Sequence, residues 1–110
     1  MKRIETVKDR KTFDDIIRNG NFIKNQHFVI YNKESDNSTT KFGVAVSNKL
    51  GKAHIRNKLK RQVRSLIDDN KNMFKNGSNY IIMIRKTCTE ADFSSMKSAF
   101  ISLLENNRVK

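Results

Sequence analysis

"KLGKAHIRNKLKRQVRS", residues Lys49–Ser65, holds seven Lys or Arg in seventeen positions and no acid. Hydrophobic residues thread through the charge: Ile55, Leu59, Val63 and Leu66 recur at spacings of four, four and three. That period belongs to a helix, which the pattern extends over Ala53–Asp69. At about 100° per residue from Ile55, Leu66, Leu59, Val63 and Ile67 fall within about 120° and form a core-facing stripe. Arg56, Lys60, Arg64, Asn57 and Arg61 follow between about 100° and 240°, as one polar face. Lys58 stands apart near 300°. Lys49 and Lys52 precede the helix beside Gly51. Lys52, Arg56, Lys60 and Arg64 stand at i,i+4, so each neighbouring pair costs a few tenths of a kcal/mol in an isolated helix. A helix that tolerates this repulsion is built to meet an opposite charge.

Outward from this helix, "KFGVAVS" (Lys41–Ser47) reads as the strand before it and "NYIIMIR" (Asn79–Arg85) as the strand after it. The second is almost unbroken in apolar residues, which predicts burial on both faces and a central place in a sheet. The three elements make a βαβ unit, for which general physics favours a right-handed crossover. "QHFVIYN" (Gln26–Asn32) reads as another strand, expected to pair antiparallel with 41–47 across the polar loop "KESDNSTT". A first helix is expected over Asp9–Asn19, with Asp9 as cap, Phe13, Ile16 and Ile17 on one face, and Gly20 closing it. "TEAD" (Thr89–Asp92) has capping-box spacing. It precedes a last helix whose face is Phe93, Met96, Phe100, Leu103 and Leu104. The order α-β-β-α-β-α describes an α+β fold: a single-domain α-β sandwich over residues 1–110 with a small central sheet.

The chain has 110 residues, a net charge of +12, one cysteine, and neither Trp nor Pro. Residues 37–67 carry eight of the cations and no acid, while the flanking regions are nearly balanced. A one-signed field concentrated in this way fits a polyanionic partner. No segment approaches the roughly 20 apolar residues that span a bilayer. No signal peptide is evident, and the lone Cys88 excludes a disulfide framework. A cytoplasmic location and no membrane partner are expected.

Arg offers bidentate forks for phosphate and Lys offers point charge. With roughly five phosphate contacts, affinity should fall about two to three decades over a fourfold rise in salt. Asn57 could bond a phosphate or ribose, reach hydrated Mg²⁺, or simply face solvent. Phe13 and Tyr31 are candidate stacking platforms for unpaired bases, although a Phe on a helical stripe serves equally well as core. No catalytic constellation is visible. His27 and His54 are isolated, Cys88 follows a strand, and Asp14–Asp15 and Asp68–Asp69 sit at helix ends. No metal site is expected. The residues describe a nucleic-acid binder that performs no chemistry itself.

The same seventeen residues resemble the signature of the bacterial ribonuclease P protein component, Lys-x-Gly-x-Ala-x-x-Arg-Asn-Arg-x-Lys-Arg-x-x-Arg. Lys49, Gly51, Ala53, Arg56, Asn57, Lys60, Arg61 and Arg64 match it, and Lys58 replaces an Arg. "FDDIIRNG", "FVIYN", "KFGVAVSNK" and "YIIMIRK" extend the resemblance over essentially the whole chain. It implies an α-β sandwich with a left-handed βαβ crossover. It implies a protein that assists a catalytic RNA subunit in Mg²⁺-dependent removal of the 5′ leader from precursor tRNA. The Mg²⁺ is then held mainly by the RNA. Arg56, Asn57, Lys60, Arg61 and Arg64 would face the catalytic RNA. Lys49, Lys52 and Lys58 would be further RNA contacts. Phe13 and Tyr31 would line the leader cleft, with Ile17 standing where a second helix-one aromatic is common. The competing expectations are a ribosome-like structural RNA binder, a duplex-DNA reader, and a protein-only nuclease. The last lacks clustered carboxylates.

Overall fold

The computed structural model describes residues 6, 7, 9–35 and 40–107. Helix α1 (Arg10–Asn19) leads into strand β1 (Asn21–Lys24), β2 (Phe28–Glu34) and β3 (Lys41–Val46). Helix α2 (Ala53–Asp69), strand β4 (Ser78–Ile84) and helix α3 (Phe93–Asn107) follow. Short 3₁₀ turns at Asn48–Leu50, Lys71–Met73 and Lys86–Thr89 join them. The expected α+β sandwich stands, with one additional strand, β1. Among the described residues no helix is long and apolar enough to cross a membrane.

The four strands lie in the order β1-β2-β4-β3. β4 is antiparallel to β2, with Tyr31 opposite Ile81, and parallel to β3, with Gly43 opposite Ile81. The expected hairpin between 26–32 and 41–47 is therefore corrected, because β4 lies between those strands. The reason is burial. Ile81 and Ile82 point to opposite faces and both are 0 % exposed, which only a strand flanked on both sides achieves. The centre of the intervening polar loop, residues 36–39, falls outside the described residues.

One face of the sheet carries Phe28, Ile30, Phe42, Tyr80, Ile82 and Ile84 against Leu59, Val63, Leu66 and Ile67 of α2 and Met96, Phe100 and Leu104 of α3. Three core rings interlock there: Phe42 stacks on Tyr80 at 5.6 Å, and Phe74 meets both. The opposite face carries α1 with Ile16 buried. It is otherwise left partly open.

Helix ends follow local chemistry. Asp9 caps α1 by accepting the Lys11 N–H at 3.1 Å and the Thr12 hydroxyl at 3.0 Å, and these bonds hold its carboxyl below the usual range. Gly20 ends α1 with its N–H on the Ile16 carbonyl, at an ordinary φ of −84°. Glycine stands there because a Cβ would lie 2.5 Å from the backbone oxygens of Asn32 and Ile16. The expected Thr89 capping box is corrected too. Thr89 belongs to the 3₁₀ turn, and Asp92 is the residue that accepts the Ser95 N–H, at 2.7 Å.

Candidate nucleic-acid interface

The burial of α2 follows its wheel. Leu59, Val63, Leu66 and Ile67 are buried, and Ile55 is half-buried against the core. Arg56 and Lys60, which flank the apolar stripe, are half-buried, while Asn57, Arg61 and Arg64 are exposed. Lys49, Lys52 and Lys58 are exposed as well, with Lys58 off the continuous face as its angle requires. Among the described residues none of these seven cations makes an ion pair within the chain. The helix also opposes its own dipole. Cations crowd its N-terminal half, and Asp68 and Asp69 sit at its C-terminal end. Lys71 relieves the latter, 3.6 Å from Asp68, and the Asn70 amide donates to the Leu66 carbonyl at 2.8 Å. Among the described residues nothing comparable relieves the basic end.

The approach to α2 is a shaped loop. Ser47 accepts the Lys49 N–H, and Gly51 adopts φ +142° and ψ −166°, a region open essentially to glycine. Arg56 reaches back to it. Its Nε donates to the Gly51 carbonyl at 3.2 Å and its Nη1 to Asn48 Oδ1 at 2.7 Å. Those bonds use two of the five guanidinium donors and leave three for a partner. Arg56 thus has a structural task that its matched spacing did not disclose.

The second surface is the open face of the sheet. Strand register puts Phe22 and Lys24 of β1, Val29, Tyr31 and Lys33 of β2, Met83 of β4, and Lys41 and Ala45 of β3 on it. These strand positions hold three lysines and no carboxylate. Tyr31 is half-buried, as expected of a ring with one face accessible. Phe13 on α1 is half-buried too, with its ring edge against Gly43. Ile17 on the same helix is half-buried. Lys33 is ion-paired to Asp15, which also accepts from Asn19 at 2.6 Å. The ammonium and then the amide hold the Asp15 carboxyl below its ordinary value and tie α1 to β2. The sequence reading missed Phe22, which is 56 % exposed with its ring 5.8 Å from Tyr31. The only signal was the four-residue alternation "NFIK", too short to read as a strand. The chain links the two surfaces closely: Ala45 ends the open-face row of β3, and Asn48, three residues on, holds Arg56.

The donor set does not suit a metal ion. Asn57 offers a neutral amide oxygen on a face of guanidinium and ammonium groups. Among the described residues no three of His, Cys, Asp and Glu stand together as ligands. His27 is engaged locally, with Nδ1 2.7 Å from the Thr87 hydroxyl, and His54 is exposed. Cys88 is buried beside the His27 carbonyl.

A family model described as Ribonuclease P matches residues 1–108. A ribonuclease P protein component from Mycoplasma mycoides subsp. mycoides SC is 35 % identical over 106 residues, 96 % of this chain and 97 % of that protein. The solved ribonuclease P protein from Thermotoga maritima is 30 % identical and superposes with a TM-score of 0.82 over 93 % of this chain and 96 % of that one. A Staphylococcus aureus ribonuclease P protein mutant, 24 % identical, shares the fold with a TM-score of 0.89 over 98 % and 92 %. On the family match and the Mycoplasma relative together, the chain belongs to the ribonuclease P protein family.

Proposed function

We propose that this chain assists the catalytic RNA subunit of ribonuclease P in the Mg²⁺-dependent removal of the 5′ leader from precursor tRNA. Two surfaces divide the work. Arg56, Asn57, Lys60, Arg61 and Arg64, with Lys49, Lys52 and Lys58 around them, bind the backbone of the catalytic RNA. Tyr31 and Phe13 on the open sheet face receive the single-stranded leader. The chain contributes no catalytic group and no metal ligand, and the Mg²⁺ belongs to the RNA. A bacterial cytoplasm is the setting this role requires.

The observation that carries this reading is the charge sorting of α2: an apolar stripe fixed to the sheet and, beside it, cations without an acidic partner among the described residues. Phosphates convert their mutual repulsion into attraction, and each neutralised phosphate releases condensed counterions. The open sheet face adds stacking surface for unpaired bases. Reconstitution tests the reading. The purified chain, added to its cognate catalytic RNA at low Mg²⁺, is expected to raise the rate of precursor-tRNA cleavage several-fold. No stimulation at any protein concentration would refute it. A chain that sediments with ribosomal subunits and leaves cleavage untouched would instead be a structural RNA binder.

A further inference from the structure

Among the described residues Phe22 is the most exposed of the large hydrophobic side chains, and it lies on neither the core face nor the basic helix. Its neighbour Ile23 opposes Ile30 and packs on the core, which turns Phe22 to the open face. There it opposes Tyr31 across the β1–β2 ladder, with ring centroids 5.8 Å apart and planes tilted by 46°. The two rings touch, so no base fits between them, and each keeps an outer surface for a different base.

The short strand that carries Phe22 is held firmly. Asn25, at its end, accepts the backbone N–H groups of His27 and Phe28 at 3.0 and 2.9 Å. Its amide donates to the Ala99 carbonyl of α3 at 3.0 Å, and its own carbonyl takes Arg85 Nη1 at 2.9 Å. A ring ordered in advance loses little freedom on binding. Lys24 shares the open face of β1, and Lys33 shares that of β2. An exposed ring against a half-buried one, beside the exposed Lys24 and the Lys33 that pairs with Asp15, on a chain of net charge +12, fits a single-stranded polyanion with stacking bases.

We propose that Phe22 is a base-stacking residue of this chain, forming with Tyr31 a two-ring platform that holds successive unpaired nucleotides on the β1–β2 side of the open face. The proposal rests on the leader-binding reading and adds to it a contact on β1, where helix α1 offers Ile17 in place of a second ring. It extends the bound strand across the sheet: β1, β2, β4 and β3 stand about 4.8 Å apart, so the row from Phe22 to Phe13 over Gly43 spans roughly 14 Å.

The chain has no Trp, so Phe22→Trp introduces a single indole at the proposed contact. Titration of that variant with a short single-stranded RNA is expected to quench the indole emission saturably. In the holoenzyme, Phe22→Ala and Phe22→Leu are each expected to weaken precursor binding roughly five- to a hundredfold, with Phe22→Trp near wild type and affinity for leaderless tRNA unchanged. Wild-type affinity for Phe22→Leu, or an unquenched indole, would overturn the proposal and reduce Phe22 to an apolar cover for Tyr31. Equal losses for leaderless tRNA would overturn it too, as would concentration-dependent dimerisation abolished by Phe22→Ala. The leader reading is scored separately by the wild-type preference for leader-bearing over leaderless substrate. If that preference is absent while the indole is quenched, Phe22 stacks single-stranded RNA of another origin.

Discussion

The ring of Phe13 lies against Gly43: a methyl group built on that glycine would sit 3.2 Å from Phe13 Cε2 and 2.7 Å from Ile81 Cδ1. The missing side chain lets α1 settle onto β3 and β4 and fixes the depth of the open face. Gly43→Ala is expected to overpack this contact, costing about 1–3 kcal/mol and displacing Phe13. The urea-unfolding midpoint checks the first effect and leader-dependent binding checks the second. An unchanged midpoint would mean that the ring yields freely and does not set the depth.

Gly51 presents the opposite case, since a Cβ there meets only Ile55 at 3.5 Å, an ordinary contact. Its constraint is the backbone angle of +142°. Gly51→Ala should therefore cost about 1–3 kcal/mol of folding stability through strain alone. It should also weaken RNA binding, because the Gly51 carbonyl holds Arg56. A variant of wild-type stability and affinity would contradict this role for the loop.

Arg61 and Arg64 are exposed and without an ion pair among the described residues, whereas Arg56 is bonded to Gly51 and Asn48. Alanine at 61 or 64 should leave stability within about 0.5 kcal/mol of wild type. It should reduce the slope of log affinity against log salt by about 1. Arg56→Ala should lower both the slope and the stability. Equal behaviour of the three variants in a salt titration and a urea melt would remove the distinction.

Much of this was legible because short-range physics sets it. The period of Leu59, Val63, Leu66 and Ile67 fixed both the helix and the direction of its charges, and the apolar run of 79–85 placed β4 at the centre. Strand neighbours were less legible. Pairing of β2 with β4 depends on which strand best tolerates burial on both sides, a comparison across the whole chain. β1 escaped notice because four residues carry too little alternation, and Phe22 was lost with it. At the α3 start, the capping-box spacing of Thr89–Asp92 made Thr89 the cap, with Asp92 in the Glu position. The 3₁₀ turn at Lys86–Thr89 decided for Asp92.

Burial pushes the Cys88 thiol up from 9.0 to about 11. The folded state thus holds the proton more tightly than the unfolded chain. The resulting stability is fully present below about pH 9 and is lost as pH rises towards 11. At pH 8 the folded thiolate fraction is about a hundredfold lower than in the unfolded chain. Alkylation by iodoacetamide should slow at least in that proportion, and equal rates with and without urea would show the thiol to be accessible.

That inert thiol permits the most direct test of the two-surface account, since Cys88 need not be removed. A photo-crosslinker attached at Arg61→Cys or at Tyr31→Cys, in the assembled holoenzyme with precursor tRNA bound, reports which RNA each surface touches. The position on α2 should join to the catalytic RNA and the position on β2 to the 5′ leader. Exchange of the two targets, or joining of both positions to the same RNA, would contradict the account.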